Sequence, residues 1–191
     1  MTERTRLAII YGSTRPGRLC DRVVKWVARE LEQYPLIDID LIDPLEFDLP
    51  FVHDREHSGV AALSERLADA DAFIVVTPEY NHSFTASLKL VLDLVYEPWH
   101  GKPVAFVSYG GISAGLRAVE QLRVVFSELH TVTVRDTVSF ANPWGQFAED
   151  GTLENPARAR KSLALLMARL NWWANALRPA RSGSPYRLAA A

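Results

Sequence analysis

Short apolar, β-branched segments alternate along this chain with segments whose apolar residues recur at helical spacing, and this alternation most constrains the fold. Strand-like segments occupy residues 6–11, 36–42, 72–77, 103–108 and 131–135, and helical patterns follow at about 20–31, 59–69, 84–96, 116–129 and 163–177. The third and fourth strand segments, AFIVVT and PVAFVS, are apolar throughout, as in strands buried on both faces. Five such βα units predict a doubly wound α/β fold: a five-stranded parallel sheet between two helical layers, with right-handed crossovers.

The length of 191 residues suits one domain, which we place at residues 1–178. From residue 179 the sequence PARSGSPYRLAAA has no periodicity, so 179–191 are predicted to be a disordered tail. The net charge of −2 and 48% hydrophobic content are ordinary for a soluble domain, and no basic patch indicates nucleic acid. Since no segment is typical of a membrane span or a signal peptide, we expect a cytoplasmic protein.

In a doubly wound sheet, ligands bind beyond the carboxyl ends of the strands, where the strand order reverses. The segments that follow the first, third and fourth strands are therefore the candidate ligand loops. They read GSTRPGR, PEYNHSFTASLK and YGGISAG.

The first of these loops is one step from the nucleotide P-loop pattern G-x-x-x-x-G-K-[ST]. Arg18 stands where that pattern has its Lys, and Leu19 stands where it has the hydroxyl that ligates Mg²⁺, which argues against a nucleoside triphosphate. Backbone N–H groups, hydroxyls and the guanidinium groups of Arg15 and Arg18 remain at the start of a helix, and they suit a single phosphate. A plain strand-to-helix turn would use the same Gly and Pro residues, so the loop alone is compatible with both interpretations.

The second loop places a large aromatic residue, Tyr80, on a ligand-facing edge, where it could pack against a planar ring. Pro78 and Asn81 restrict the backbone around it. A β-turn followed by an N-cap at Ser83 or Thr85 is also expected here, and turn and site are compatible.

The third loop has adjacent glycines, Gly110 and Gly111, where the backbone must approach another group closely or adopt positive φ. It is not the G-x-G-x-x-G fingerprint, because Ile112 occupies the place of the second glycine. That dinucleotide fingerprint is absent from the whole sequence.

Taken together, GS-x-R after the first strand, PEYN after the third, a helix bearing SLK and LD, and GKPV before a GG-containing loop resemble the NADPH-dependent FMN reductase family. Its members are flavodoxin-like proteins that include quinone, chromate and azo-dye reductases, and the resemblance covers residues 6–176. It implies a three-layer α/β/α flavodoxin-like fold, noncovalently bound FMN, and NADPH or NADH as co-substrate. Many members have a Ser and an Asn later in the first loop, where this chain has Arg18 and Cys20.

The resemblance also implies a set of FMN contacts. The phosphate would be held by Ser13, Thr14, Arg15, Gly17, Arg18, Leu19 and Cys20. The ribityl chain and ring would be bordered by Pro78, Glu79, Tyr80 and Asn81, and the pyrimidine edge by Tyr109, Gly110 and Gly111.

The resulting hypothesis is an oxidoreductase that moves a hydride from NAD(P)H to FMN and then two electrons to a quinone, free flavin, azo compound or metal oxyanion. No side chain is nominated as a catalytic acid or base, because the cofactor carries the chemistry. The alternatives are a flavodoxin-type one-electron carrier and a sensor that uses the fold without FMN. Arg15 and Arg18 outweigh Glu79 in the three loops, and a positive site favours the doubly reduced, anionic flavin over a one-electron carrier.

The helix predicted at 84–95 is apolar around most of its circumference, leaving mainly Lys89 and Asp93 for water. One face of a sheet would not bury all of it, so we expect a second subunit against this helix, in a homodimer or homotetramer. Leu92 and Leu94 are the expected interface residues. The resemblance agrees, since members pair through this region and complete the flavin site there.

Three further features are interpreted as structural. His53 to His57 spell the H-x-x-E-H metalloprotease pattern, but between Pro50 and Gly59 they belong to a polar loop, and no metal site is predicted. Cys20 lacks the C-x₅-R context of a phosphatase and is expected to be a small buried residue. Of the five tryptophans, only Trp144 is placed near a site.

Overall fold

The computed structural model describes residues 4–184 and residue 186, and within them five strands and five α-helices alternate. The strands are β1 (Thr5–Tyr11), β2 (Ile37–Ile42), β3 (Ala72–Pro78), β4 (Pro103–Gly110) and β5 (Val132–Ala141). The helices are α1 (Cys20–Leu31), α2 (Ser58–Asp69), α3 (Ala86–Leu94), α4 (Leu116–Glu128) and α5 (Ala157–Gly183), with short 3₁₀ turns at Pro44–Glu46 and Glu97–Trp99.

All strand pairs are parallel, and the strand order is β2-β1-β3-β4-β5. This is the flavodoxin-like order, with its switch point between β1 and β3. Helices α1 and α5 pack on one face of the sheet, and α2, α3 and α4 pack on the other. Every residue of β3 and β4 is buried, so the predicted three-layer fold and its two central strands are confirmed.

The expectation that α3 needs a second subunit to cover it is wrong for the residues on which it rested. Leu92 and Leu94 are 2% and 3% exposed within the single chain. The cover comes from segments predicted as loops: Phe47 after β2, and Trp99, which is fully buried against Phe73 with ring centroids 4.8 Å apart. The helix is also shorter than predicted, because Thr85 caps it at Ala86.

The last helix begins earlier and ends later than the sequence pattern indicated. The tail was predicted to be disordered from residue 179, yet α5 continues through Pro179 to Gly183. Ion pairs from Arg178 and Arg181 to Asp71, at 2.9 and 3.3 Å, hold this end against the body, as does a 2.8 Å hydrogen bond from Arg181 to the Gly101 carbonyl. Residues 1–3 of the predicted domain, and residues 185 and 187–191 of the predicted tail, lie outside the described residues.

Strand β5, at one edge of the sheet, also runs further than predicted. Its pairing with β4 shifts between Val104 and Phe106, which marks a bulge, and pairing then resumes to Ala141. The guanidinium of Arg123, on α4, donates to the carbonyls of Val134 and Arg135 at 2.7 and 2.9 Å. This contact with α4 stabilises the bulge, and the bulge lies where the strand pattern of the sequence ended, at residue 135.

No helix in the described part of the chain is long and apolar enough to cross a lipid bilayer.

Candidate functional site

A cleft of about 540 Å³, which we call the main cleft, opens at the carboxyl ends of β1, β3 and β4. The sequence predicted this position. Ten of the predicted site residues line it: Arg15, Gly17, Arg18, Leu19, Pro78, Glu79, Tyr80, Tyr109, Gly110 and Gly111. Four predicted residues do not line it: Ser13, Thr14, Cys20 and Asn81.

The loop after β1 starts with a close approach between strands. A Cβ on Gly12 would lie 2.6 Å from the Val76 carbonyl oxygen, so no larger residue fits there. The hydroxyl of Thr85 donates to the Gly12 carbonyl at 2.6 Å and also caps α3 by accepting from the Leu88 N–H. These contacts fix the first loop to α3, the helix that follows the second loop.

Arg18 is the most constrained side chain of the first loop and is 8% exposed. Its guanidinium donates to Asp21 at 2.6 Å, to the Ser13 carbonyl at 2.5 Å, and to both carboxylate oxygens of Asp43, so four of its five N–H groups are engaged. Its Cζ also lies 4.9 Å from the centroid of the Tyr11 ring.

Asp43 is in place because it caps the 3₁₀ turn after β2, accepting from the Leu45 N–H at 3.0 Å. Although burial opposes ionisation, Arg18 and this N–H hold the pKa of the Asp43 carboxyl below its usual range. Because carboxylates already neutralise this guanidinium, Arg18 offers no free charge to a phosphate and shapes the loop instead. Contact between Arg18 and a phosphate stays a prediction.

The Arg15 side chain, in the same loop, is exposed. Among the described residues, its guanidinium has no hydrogen-bond acceptor. The backbone N–H groups of Gly17, Leu19 and Cys20 likewise have no acceptor within residues 4–184. Because α1 begins at Cys20, these N–H groups lie at the positive end of a helix dipole. An anion would find one cation and several donors here.

Ser13 and Cys20 lie beneath the cleft. The Ser13 hydroxyl, 1% exposed, is 3.4 Å from the Tyr80 hydroxyl and accepts from the Arg15 N–H. Cys20 is fully buried, and burial raises the pKa of its thiol to about 12. The interpretation of Cys20 as a packing residue is confirmed.

The PEYN segment ends in a tight turn. Asn81 and His82 have φ of 50° and 67°, and the backbones of Tyr80 and Ser83 exchange hydrogen bonds of 2.8 and 2.9 Å. A two-residue loop with both central residues at positive φ is a type I′ turn, which Asn favours. It holds Tyr80, 39% exposed, on the cleft wall.

Glu79 lines the cleft, but its carboxylate is engaged in a network of hydrogen bonds with α4 and the third loop. Its carboxylate accepts from the Ser113 hydroxyl at 2.6 Å, and from the Arg117 backbone N–H and guanidinium at 3.2 and 3.1 Å. Burial alone would raise the pKa of this carboxyl, but these donors outweigh it and hold the pKa below its usual range. The network joins the second loop to the third.

The third loop presents backbone to the cleft. Tyr109 is 6% exposed, its side chain packs in the core with α1, and burial raises the pKa of its hydroxyl far above the usual value. A Cβ on Gly110 would meet Gly115 and Glu79 at 3.2 and 3.3 Å, whereas a Cβ on Gly111 would meet nothing within 4 Å. Positive φ is adopted by Ala114 and Gly115, not by the glycine pair.

Four lining residues were not among the predicted site residues: Pro16, Arg22, Trp144 and Gly145. Trp144, 67% exposed, is the tryptophan that the sequence placed near a site. Arg22 could have been found from helical spacing, since it lies one turn after Arg18. These residues add an aromatic ring and a second cation to the cleft.

The residues present fit FMN. One end of the main cleft offers Arg15 and free N–H groups to a phosphate, and Tyr80 and Trp144 supply aromatic surface for a planar ring. Gly17, Gly111 and Gly145 each have open space where a Cβ would stand, so ligand atoms can approach their backbone.

The H-x-x-E-H segment forms turns, not a helix. His57 caps α2, its Nδ1 accepting from the Gly59 N–H at 3.2 Å. The described residues contain no group of three or more His, Cys, Asp or Glu side chains that could hold a metal ion.

Comparison with known proteins gives consistent matches. The sequence model of a family described as NADPH-dependent FMN reductase matches residues 5–145. An NAD(P)H-dependent FMN reductase of Schizosaccharomyces pombe is 34% identical over 122 residues, which are 58% of this chain and 60% of that protein. An NADPH:quinone oxidoreductase of Arabidopsis thaliana is 31% identical over 177 residues, covering 85% of this chain and 89% of that one. The structure of FerB, an NAD(P)H:(acceptor) oxidoreductase from Paracoccus denitrificans, superposes with a TM-score of 0.74 at 22% identity, covering 90% and 98% of the two chains.

Proposed function

The chain belongs to the NADPH-dependent FMN reductase family, and from this premise we propose that it is an oxidoreductase that binds FMN in the main cleft. It takes a hydride from NADPH or NADH and passes two electrons to a small-molecule acceptor. The observation that carries the proposal is the division of the cleft into a cationic end, at Arg15 and the start of α1, and a neutral end of aromatic and glycine residues.

FMN, when bound, supplies the hydride-accepting ring. Arg15 and the N–H groups of Gly17, Leu19 and Cys20 bind its phosphate. The Tyr80 ring and the backbone of Gly110 and Gly111 border the isoalloxazine, and Trp144 limits access of water from the open side.

Glu79 contributes by its orientation. Because its carboxylate is bonded to Ser113 and Arg117, it presents no free negative charge to the ring. Arg18 is neutralised by Asp21 and Asp43, and Arg22 is paired with Glu149 at 3.9 Å, so Arg15 supplies the unpaired positive charge of the cleft. A mildly positive site favours the anionic, doubly reduced form of the cofactor, which suits two-electron transfer and not a one-electron carrier.

The acceptor enters the same slot after the nicotinamide leaves. A planar quinone fits a slot bordered by Tyr80 and Trp144, and the quinone oxidoreductase among the relatives supports that class. Free flavin, azo compounds and metal oxyanions are further proposed acceptors.

A homodimer or homotetramer and a cytoplasmic location stay predictions. The covered state of Leu92 and Leu94 removes the physical argument for pairing through α3. We propose one domain that includes α5 to its end at Gly183.

The test uses the purified protein, reconstituted with FMN where needed. Cofactor released by heat should run as FMN in chromatography, and anaerobic NADPH or NADH should bleach the yellow colour with no long-wavelength absorbance on the way. FAD in place of FMN, or no flavin after reconstitution, would contradict FMN binding. A stable long-wavelength species together with no reaction with either nucleotide would favour the electron carrier. A chain that stays colourless after reconstitution would favour the sensor.

A further inference from the structure

A second cleft, of about 550 Å³, adjoins the main cleft, and we call it the β5 cleft. The two clefts are separated by two thin segments of chain: Gly111 lines the main cleft and Ile112 the β5 cleft, and Gly145 and Gln146 divide in the same way. Consecutive Cα atoms are about 3.8 Å apart, so the two clefts come close together at these residues. A ligand longer than the main cleft can therefore continue into its neighbour.

The floor of the β5 cleft is polar. Thr137 and Ser139 on β5 line it, and Ser139 and Ala141 are exposed, whereas every residue of β3 and β4 is buried. Helix α4 begins only at Leu116 and leaves this end of β5 uncovered. At Thr137, a hydroxyl group occupies a position that the inner strands fill with Phe106 and Val75, and Ser139 continues a row of hydroxyl groups from Ser108 and Thr77 to the edge of the sheet.

The lining of this cleft includes one cation, and the floor residue Thr137 also accepts a hydrogen bond from Arg123 at 3.2 Å. Arg158, in the first turn of α5, lines the β5 cleft with Asn155 and Ser162, and the lining contains no Asp or Glu. Arg158 is exposed and has no hydrogen bond or ion pair with any residue of the described chain. Most arginines of this protein are paired, as Arg160 is with Glu30 at 2.8 Å, so an unpaired guanidinium beside hydroxyl and amide donors marks an anion site.

We infer that the β5 cleft binds a phosphate group of NAD(P)H, while the nicotinamide lies over the ring in the main cleft. This inference rests on the proposed function. A dinucleotide needs donors for its phosphates, and the G-x-G-x-x-G loop that supplies them elsewhere is absent from this sequence. The opening near Arg6 is a poorer candidate, because Asp38, Asp40 and Asp69 line it and would repel phosphate.

Two phosphate groups could use this site: the pyrophosphate, which both nucleotides have, and the 2′-phosphate, which only NADPH has. Either would give Arg158 a charge-assisted contact. The two are distinguished by comparing the nucleotides.

The test measures binding of NADP⁺ and NAD⁺ to the FMN-loaded protein by titration calorimetry, for the wild type and Arg158→Ala. We expect about tenfold weaker binding in the variant, with a matching rise in KM for the reduced nucleotide. The control is Lys161→Ala, which removes the same charge one turn along α5 from an exposed side chain outside the β5 cleft. A loss for NADP⁺ alone assigns the 2′-phosphate, and equal losses for both assign the pyrophosphate.

Unchanged binding and KM in Arg158→Ala, or equal losses in Arg158→Ala and Lys161→Ala, would overturn the inference. Since the oxidised nucleotides undergo no hydride transfer, the calorimetry does not depend on turnover. If the wild type binds NADP⁺ through Arg158 but catalyses no reduction, the proposed function is contradicted and this site is supported. If turnover is normal and Arg158→Ala has no effect, the proposed function is supported and this site is contradicted.

Discussion

Each of the two walls of the main cleft is stabilised by an ion pair, but the buried member of the pair has opposite charge in the two walls. On the β1 side the buried partner is a cation, Arg18, held by Asp43 and Asp21. On the side of β3 and β4 the buried partner is an anion, Glu79, 7% exposed and held by Ser113 and Arg117. Each pair joins two segments that are far apart in the sequence.

The difference between the walls decides what each leaves for a ligand. The β1 wall uses one arginine for its own structure and keeps a second, Arg15, exposed, so it stays cationic. The opposite wall buries its only carboxylate and presents backbone and aromatic groups, so it stays neutral. In both walls, the residue that looks most reactive in the sequence holds the loop, and its neighbours face the cleft.

The largest effect is expected from Arg18→Ala, which leaves Asp43 unpaired in a mostly buried position. Losing one partner of such a pair should lower the free energy of unfolding by about 3 kcal/mol, measured by urea denaturation. FMN and riboflavin affinity should fall together, because the whole loop is loosened. Arg29→Ala, at an exposed pair on α1, the helix that follows this loop, is the control and should cost under about 1 kcal/mol. Unchanged stability with a loss confined to FMN would instead make Arg18 a phosphate ligand.

Arg15→Ala tests the other arginine of the same loop. Loss of a charge-assisted contact should weaken FMN binding by roughly 1.5 to 3 kcal/mol, read by fluorescence titration, while the free energy of unfolding stays the same. Riboflavin, which lacks the phosphate, is the matched ligand control and should bind as before. Equal losses for both flavins would remove the phosphate role.

The smallest effect should come from Glu79→Gln, because Gln keeps an acceptor for Ser113 and Arg117 is partly exposed. We expect the free energy of unfolding to fall by about 1 kcal/mol. The control is Glu128→Gln, on the exposed face of α4, in which the free energy of unfolding should not change. The lowered pKa of Glu79 means that its stabilisation is complete above the usual carboxyl pKa of about 4.3 and disappears as the pH falls through the lowered value. The difference between wild type and variant should therefore shrink in acid; a constant difference would show that the charge is unimportant.

The sequence predicted the features that depend on local pattern. The all-apolar segments predicted β3 and β4, and the alternation of strand and helix patterns predicted the parallel sheet. Asn81 indicated the turn beside the cleft, and Thr85 was one of the two residues expected to cap the helix after it. Trp144, in the segment NPWGQF, was the one tryptophan placed near a site, and it lines the main cleft.

The errors have a common physical cause, since each depended on a partner distant in the sequence. Arg18 appeared free because Asp43, which neutralises it, lies 25 residues away. Leu92 appeared to need a second subunit because the cover from Phe47, in the segment after β2, could not be inferred from the periodicity of α3. The end of α5 appeared disordered because Asp71, which binds Arg181, lies 110 residues earlier.

The bulge in β5 has a consequence for behaviour at high protein concentration. A ten-residue edge strand with unpaired carbonyls can recruit a strand from another molecule and begin aggregation. Arg123 occupies the carbonyls of Val134 and Arg135 at the bulge, and the bulge interrupts the regular row of groups with which another strand could pair. At the opposite edge, β2 carries Asp38 and Asp40, which are paired with Arg4 and Arg66, and charged side chains on an edge strand disfavour pairing with another strand. Both edges of the sheet thus carry features that oppose edge-to-edge pairing between molecules in a concentrated solution.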